Sequence, residues 1–155
     1  MSRRREKRMQ PVRQVAEQRE RAAVQRLGEA QRELERQRAR LAELRAYREQ
    51  YTASFARSGS GGLSAGRMQD YRAFLERLNA AIRQQETLIE RCSSDREQSR
   101  RQWVDARSHQ QAVDKLLARY HREAQQRQAR REQQQLDEHA GRTAGHARGH
   151  KEPVA

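Results

Sequence analysis

The sequence predicts an all-α protein, a long antiparallel two-helix coiled-coil hairpin with disordered termini. Three observations predict it. A heptad seam runs through the second half of the chain at Met68, Tyr71, Leu75, Leu78, Ile82, Gln85, Ile89, Cys92, Arg96, Ser99, Trp103, Ala106, Gln110, Val113, Leu117, Tyr120 and Ala124, with steps alternating between three and four residues. That rhythm keeps one narrow stripe of a helix turned toward a partner helix. A weaker seam occupies the first half at Ala16, Ala23, Leu27, Ala30, Leu34, Gln37, Leu41, Leu44, Arg48, Tyr51 and Phe55. Between the two lies the breaker cluster Ser58-Gly59-Ser60-Gly61-Gly62. The stripes bury each other only if the chain doubles back there.

The elements are taken in chain order. Residues 1–9 form a basic arm. Helix one covers 10–56, because Pro11 suits the first turn of a helix and no later one. Its early seam is Ala-rich, Glu20 interrupts it, and Gly28 costs ~1 kcal/mol against Ala, yet the pattern passes through. A Gly/Ser-rich loop takes 57–66, with Ser64 placed to cap the second helix. Helix two runs over 67–136, and 137–155 is a basic tail with nothing to bury, read as disordered. A fold about Gly61 sets Pro11 level with about residue 111. On that register Val113 to Leu136 overhangs, and Leu116, Leu117 and Tyr120 lack intramolecular cover until a partner orders them.

Composition narrows the function. Hydrophobic residues make up 34% of the chain, and mean hydropathy is -1.33. That is lean for a thick globular core and sufficient for a two-helix seam. The net charge is +13, nearly all from arginine, since Lys7, Lys115 and Lys151 are the lysines. Such an excess suits an anionic partner: nucleic acid, an acidic membrane surface or an acidic protein. A solvated face that keeps a thin coil soluble is the plainer account. It is supported by Glu17 with Arg21, Glu97 with Arg101 and Glu123 with Arg127, each at the favourable spacing of four.

The single cysteine, Cys92, falls on the seam as a small buried residue. The start has no signal-peptide pattern, and no apolar run approaches the ~20 residues of a membrane span, so a cytoplasmic protein is expected. No catalytic set, phosphate loop or cofactor motif is present. His139, His146 and His150 lack a fixed metal geometry, and carboxylates such as Glu33 and Glu35 lie on open helix faces. An enzyme is not expected.

The positions beside the seam carry more information. With Leu41 and Leu75 as a positions, the e positions of helix two are Arg72, Asn79, Glu86, Ser93, Arg100, Arg107, Asp114 and His121, all polar. The g positions nearest the loop are Phe74, Ala81 and Leu88, all apolar, and Tyr47 is the matching g position of helix one. In an antiparallel pair g faces g. One edge near the loop therefore carries Tyr47, Phe74, Ala81 and Leu88 over the d residues Leu44, Tyr51 and Leu78. Two readings fit: a protein-binding strip rimmed by Arg and Gln, or a widened core with Tyr47 and Phe74 folded over each other.

The stretches Leu41–Tyr51 and Tyr71–Ile82, the glycine-rich loop, and Trp103 followed by Lys115–Tyr120 resemble the FliJ family. That family is the small coiled-coil component of the bacterial flagellar type III export apparatus, and the likeness covers about residues 10 to 135. The resemblance implies a hairpin similar to the central stalk of rotary ATPases. It also implies partners: the export ATPase ring, which receives the end carrying both termini and is helped to assemble; the membrane export gate; and export chaperones escorted when empty. The family's gate-contacting pattern falls here on Arg40, Leu44, Tyr47, Tyr51, Phe74, Leu78, Ala81 and Gln85, of which Arg40 and Gln85 depart in residue type.

The function expected from this is a stalk and adaptor needed for flagellum assembly, and hence for motility and chemotaxis. It would have no cofactor, metal or small-molecule substrate, and would lie at the cytoplasmic face of the inner membrane through its partners. Arg3, Arg4, Arg5, Arg8, Arg13 and Arg19, with Leu116, Leu117 and Tyr120, are expected to engage the ATPase. The alternative is a basic coiled coil that binds nucleic acid or acts as a scaffold. Against nucleic acid, the arginines are interleaved with Glu and no DNA-reading module adjoins the coil.

Overall fold

A computed structural model describes residues 2–59 and 64–149. It contains two helices, α1 (Ser2–Ser58) and α2 (Ala65–Gly149), which pack against each other as a helical hairpin, with no strand among the described residues. The predicted fold point at Gly61 and the last residues of the predicted tail, 150–155, lie outside the described residues. Ser64 caps α2: its Oγ accepts from the Arg67 N–H at 3.3 Å, and its carbonyl accepts from the Met68 N–H at 3.1 Å.

The chain divides into two units, Arg19–Arg107 and Met1–Gln18 with Ser108–Ala155. Within Arg19–Arg107 the two segments run antiparallel, with Leu41, Leu78 and Ile82 buried together and Leu44, Phe74 and Ile89 packed on them. Ala23, Leu34 and Cys92 are also buried, Leu34 to 2% exposure. Each seam position of both helices in this unit is buried or half-buried except Met68, which is exposed next to the loop. Glu20, which interrupts the first seam, is half-buried and accepts a 3.1 Å hydrogen bond from the Trp103 indole nitrogen. A carboxylate on the stripe is tolerated because the facing seam residue brings a donor to it.

A second polar layer uses glutamine. Gln85 is 7% exposed, and its Nε2 donates to the Gln37 carbonyl at 2.9 Å and to Gln37 Oε1 at 2.8 Å. Gln37 in turn donates to Glu33 Oε1 at 2.7 Å, while the Arg36 guanidinium holds the other Glu33 oxygen. The Arg36 hydrogen bond first, then the Gln37 amide, lower the Glu33 pKa from its ordinary value. Glu33 thus orients the Gln37 amide so that its oxygen meets Gln85. A buried amide paired this way tolerates one register and penalises slippage.

In the other unit Ala16, Val113 and Leu117 are buried together, with Met9 packed on them. Here the structure departs from the sequence expectation. Helix one starts at Ser2, well before the predicted residue 10, and runs through Pro11. An interior proline removes the bond to the carbonyl four residues back and costs ~3 kcal/mol. Contacts from the extra turns offset it: Met9 packs on the core, Arg5 lies over the Tyr120 ring at 5.9 Å, and Arg3 donates to Gln128 at 2.8 Å. The predicted register holds: Gln37 meets Gln85, and Arg13 reaches Asp114 at 3.6 Å with the same offset as Arg48 to Asn79. The expected overhang from Val113 is corrected because α1 starts at Ser2: Leu117 is buried, and Leu116 and Tyr120 are half-buried.

Helix two likewise extends beyond its predicted end at residue 136. From Gln125 to His146 every residue is exposed. Local bonds hold this stretch, such as Gln133 to Asp137 at 3.2 Å and Thr143 Oγ1 to the His139 carbonyl at 2.8 Å. Among the described residues, no helix is long and apolar enough to cross a membrane.

These networks set two stability expectations. Gln37→Leu leaves the Gln85 amide with the backbone carbonyl alone, and urea unfolding is expected to register a loss of about 0.5–1.5 kcal/mol. The double variant with Gln85→Leu should recover it. The second concerns Glu97, which accepts from Arg100 at 2.8 Å and lies 3.5 Å from Arg101. The Arg100 hydrogen bond lowers the Glu97 pKa. A lowered folded value means stability that is present above the ordinary glutamate pKa of about 4.3 and lost as pH falls through the folded value. Glu97→Gln should flatten the loss of helicity between about pH 5 and pH 3, read by circular dichroism.

Candidate functional site

The loop-proximal part of Arg19–Arg107 holds a ladder of five aromatic rings drawn from both helices. Phe55 stacks on Tyr71 (centroids 3.6 Å, 13°), and Tyr71 stacks on Tyr51 (5.4 Å, 14°). Tyr51 tilts against Phe74 (4.4 Å, 48°), and Phe74 meets Tyr47 edge-on (6.0 Å, 70°). Heptad position explains the order. Phe55 is an a residue, Tyr51 and Tyr71 are d residues, and Phe74 and Tyr47 are g residues, so the ladder climbs from the seam onto the g edge. Each such pair contributes ~0.5–1.5 kcal/mol beyond area burial.

The ladder combines the two readings of the strip. Phe74 is half-buried on the Leu41–Leu78–Ile82 core, and the Tyr47 ring lies against it, as a widened core requires. Tyr47 still keeps 50% of its surface in solvent, and Leu88 is exposed, as a binding strip requires. Of the other residues expected at the gate, Arg40 is exposed, and Leu44, Tyr51 and Ala81 are half-buried. Leu78 and Gln85 are buried in the seam beneath, where they support the strip and do not form its surface.

The opposite edge is polar. Arg45 reaches Glu86 at 3.3 Å and Arg48 donates to Asn79 at 3.1 Å. Both acceptors are e positions of helix two. In the unit containing both ends of the chain the e positions act alike: Arg13 meets Asp114, Glu6 Oε1 lies 3.0 Å from His121 Nδ1, and Arg3 meets Gln128. These cross-helix contacts all reach e positions of helix two and align the pair along that edge.

The residues expected at the ATPase differ in access. Arg4 and Arg8 are exposed, Arg3 and Arg5 are exposed but engaged with Gln128 and Tyr120, and Arg13 is shared between Glu17 and Asp114. Leu117 is inside the core, and Arg19, exposed, belongs to the other unit. Of the ion pairs expected along the helices, Glu97 meets Arg101, whereas Glu17 and Glu123 turn back to Arg13 and Arg119, at 3.2 Å each.

An open cleft of about 310 Å³ beside the ladder, lined by Tyr51, Ser54, Phe55, Ser58, Arg67, Asp70 and Tyr71, was not anticipated from sequence. The signal available was Arg67 one turn before Tyr71 with Asp70 directly preceding that ring. Among the described residues, no group of three or more His, Cys, Asp or Glu side chains is placed to hold a metal ion.

The ladder predicts that Tyr71→Ala, which removes two stacks at once, costs about 1–3 kcal/mol. Hydrogen exchange in residues 51–58 and 65–74 should accelerate while the Ala16–Val113–Leu117 cluster stays protected.

The family model described as "Flagellar FliJ protein" matches residues 5–149 of this chain. No curated protein and no solved structure matches it.

Proposed function

The chain belongs to the FliJ family, a component of flagellar protein export, and from that premise we propose that it is the adaptor and stalk between the export ATPase ring and the membrane export gate. In this reading the unit containing both ends of the chain engages the ATPase through Arg3, Arg4, Arg5, Arg8 and Arg13, with Leu116 and Tyr120 contributing and Leu117 supporting them from within the core, while Arg19 of the other unit is left out of the contact. The loop-proximal strip engages the gate. Empty export chaperones are carried between the two, membrane contact is made through these partners, and flagellum assembly, motility and chemotaxis depend on the result.

One observation carries the gate assignment. Tyr47 is half-exposed on a rigid aromatic ladder, on the edge that the polar contacts leave unused. A ring held against Phe74, with exposed Leu88 two heptads further along the same edge, supplies apolar contact at little entropic cost on binding. The interhelical ladder also makes the strip depend on the hairpin being closed.

Tyr47→Ala combined with Leu88→Ser removes the exposed part of the strip and leaves the Leu41–Leu78–Ile82 core in place. Binding to the cytoplasmic linker of the gate protein, measured by titration calorimetry, should weaken by about tenfold or more at unchanged helicity. Wild-type affinity in that variant would remove the strip from the gate contact.

A further inference from the structure

The unit formed by Met1–Gln18 with Ser108–Ala155 has an apolar group outside its core. Val12 is 39% exposed and Val15 is 54% exposed, while Leu116 is half-buried. Val12 and Leu116 occupy g positions of their helices and Val15 the neighbouring c position, so all three belong to the edge opposite the contacts of Asp114, His121 and Gln128. The core does not need them, since Ala16, Val113, Leu117 and Met9 already pack together. Valine is also a costly choice at an outward helical position, by up to ~0.6 kcal/mol against Ala, where Gln, Glu or Arg would hold the helix better.

The charges around the group are basic. Arg5 is the g residue one heptad before Val12, Arg8 is exposed one turn before it, and Arg119 is exposed one turn after Leu116. Glu123 is the nearby acid, and Arg119 already holds it at 3.2 Å. On α1 this edge presents Val12 and Val15, on α2 it presents Leu116, level with Arg5, and the furrow between two such helices with basic flanks suits the apolar stripe of a third helix.

We propose that this g edge is a second docking surface, centred on Val12, Val15 and Leu116, for a partner helix that presents apolar side chains flanked by carboxylates. It rests on the reading of this unit as the ATPase-facing end and deepens it. The apolar group supplies the contact area, and Arg5, Arg8 and Arg119 fix the orientation and raise the association rate. Leu117 acts only from within the core.

The test uses the full chain and the purified export ATPase of the same organism. Val12→Ser with Val15→Ser should raise the dissociation constant by about tenfold or more with unchanged circular dichroism, and Arg8→Glu should raise it and flatten its dependence on salt. Val104→Ser, an exposed valine at a b position of the other unit, serves as the control and should bind as wild type. Wild-type affinity in the Val12/Val15 variant, while the wild-type chain binds, overturns the docking surface and leaves the ATPase reading standing. Failure of the wild-type chain to bind the ATPase overturns both. A doubling of mass in sedimentation that the same variant abolishes assigns the furrow to a second copy of the chain, which also overturns the proposal.

Discussion

Two helices can hide from water only a narrow stripe of each other, about two positions in seven. The structure depends on that limit. Each unit places its apolar residues at a and d, and everything beyond must be settled at the edges. Polar side chains reaching across from e positions close one edge. Tyr47, Phe74, Ala81 and Leu88 in one unit, and Val12 and Leu116 in the other, occupy the g edge. At the g edge Phe74, Ala81 and Leu116 are half-buried, while Tyr47, Leu88 and Val12 keep much of their surface in solvent. In a coil of this composition, heptad position sets which edge is apolar and which is polar.

Much of this was legible in the sequence because periodicity survives without knowledge of the partner helix. The three-four alternation located both seams, and the e and g assignments separated a polar from an apolar edge. What was not legible depends on side-chain contacts between the helices. Glu20 reads as a fault in its own helix and becomes intelligible only with Trp103, 83 residues away, donating to it. Pro11 reads as a start signal by local chemistry. The helix continues through it because Arg3, Arg5 and Met9 find partners on α2, contacts that no window around Pro11 contains. That displacement also uncovered the wrong residues in the sequence reading, which left Leu117 bare when it is in the core. The aromatic residues near the loop could be placed by position, but their stacking order required both helices at once.

The preference for arginine has a structural counterpart. The cross-helix contacts at Gln128, Asp114, Glu86 and Asn79 are all made by arginine. A long stem ending in a planar fork can leave an a or e position, skirt the seam and still present a donor to the facing helix. Such exposed pairs contribute ~0–1 kcal/mol each and weaken in salt. Their effect is on alignment more than on stability, alongside the buried Gln37–Gln85 pair, which is shielded from salt.

The chain contains one tryptophan, Trp103. Its indole donates to the Glu20 carboxylate, and the Arg107 guanidinium lies 5.4 Å from the ring centre. An anion at the pyrrole nitrogen and a cation over the ring bias the excited-state dipole in a fixed direction. The protein therefore carries a native optical gauge of whether its two strands are seated side by side at that level, and its emission colour and lifetime change when they part, without any attached dye.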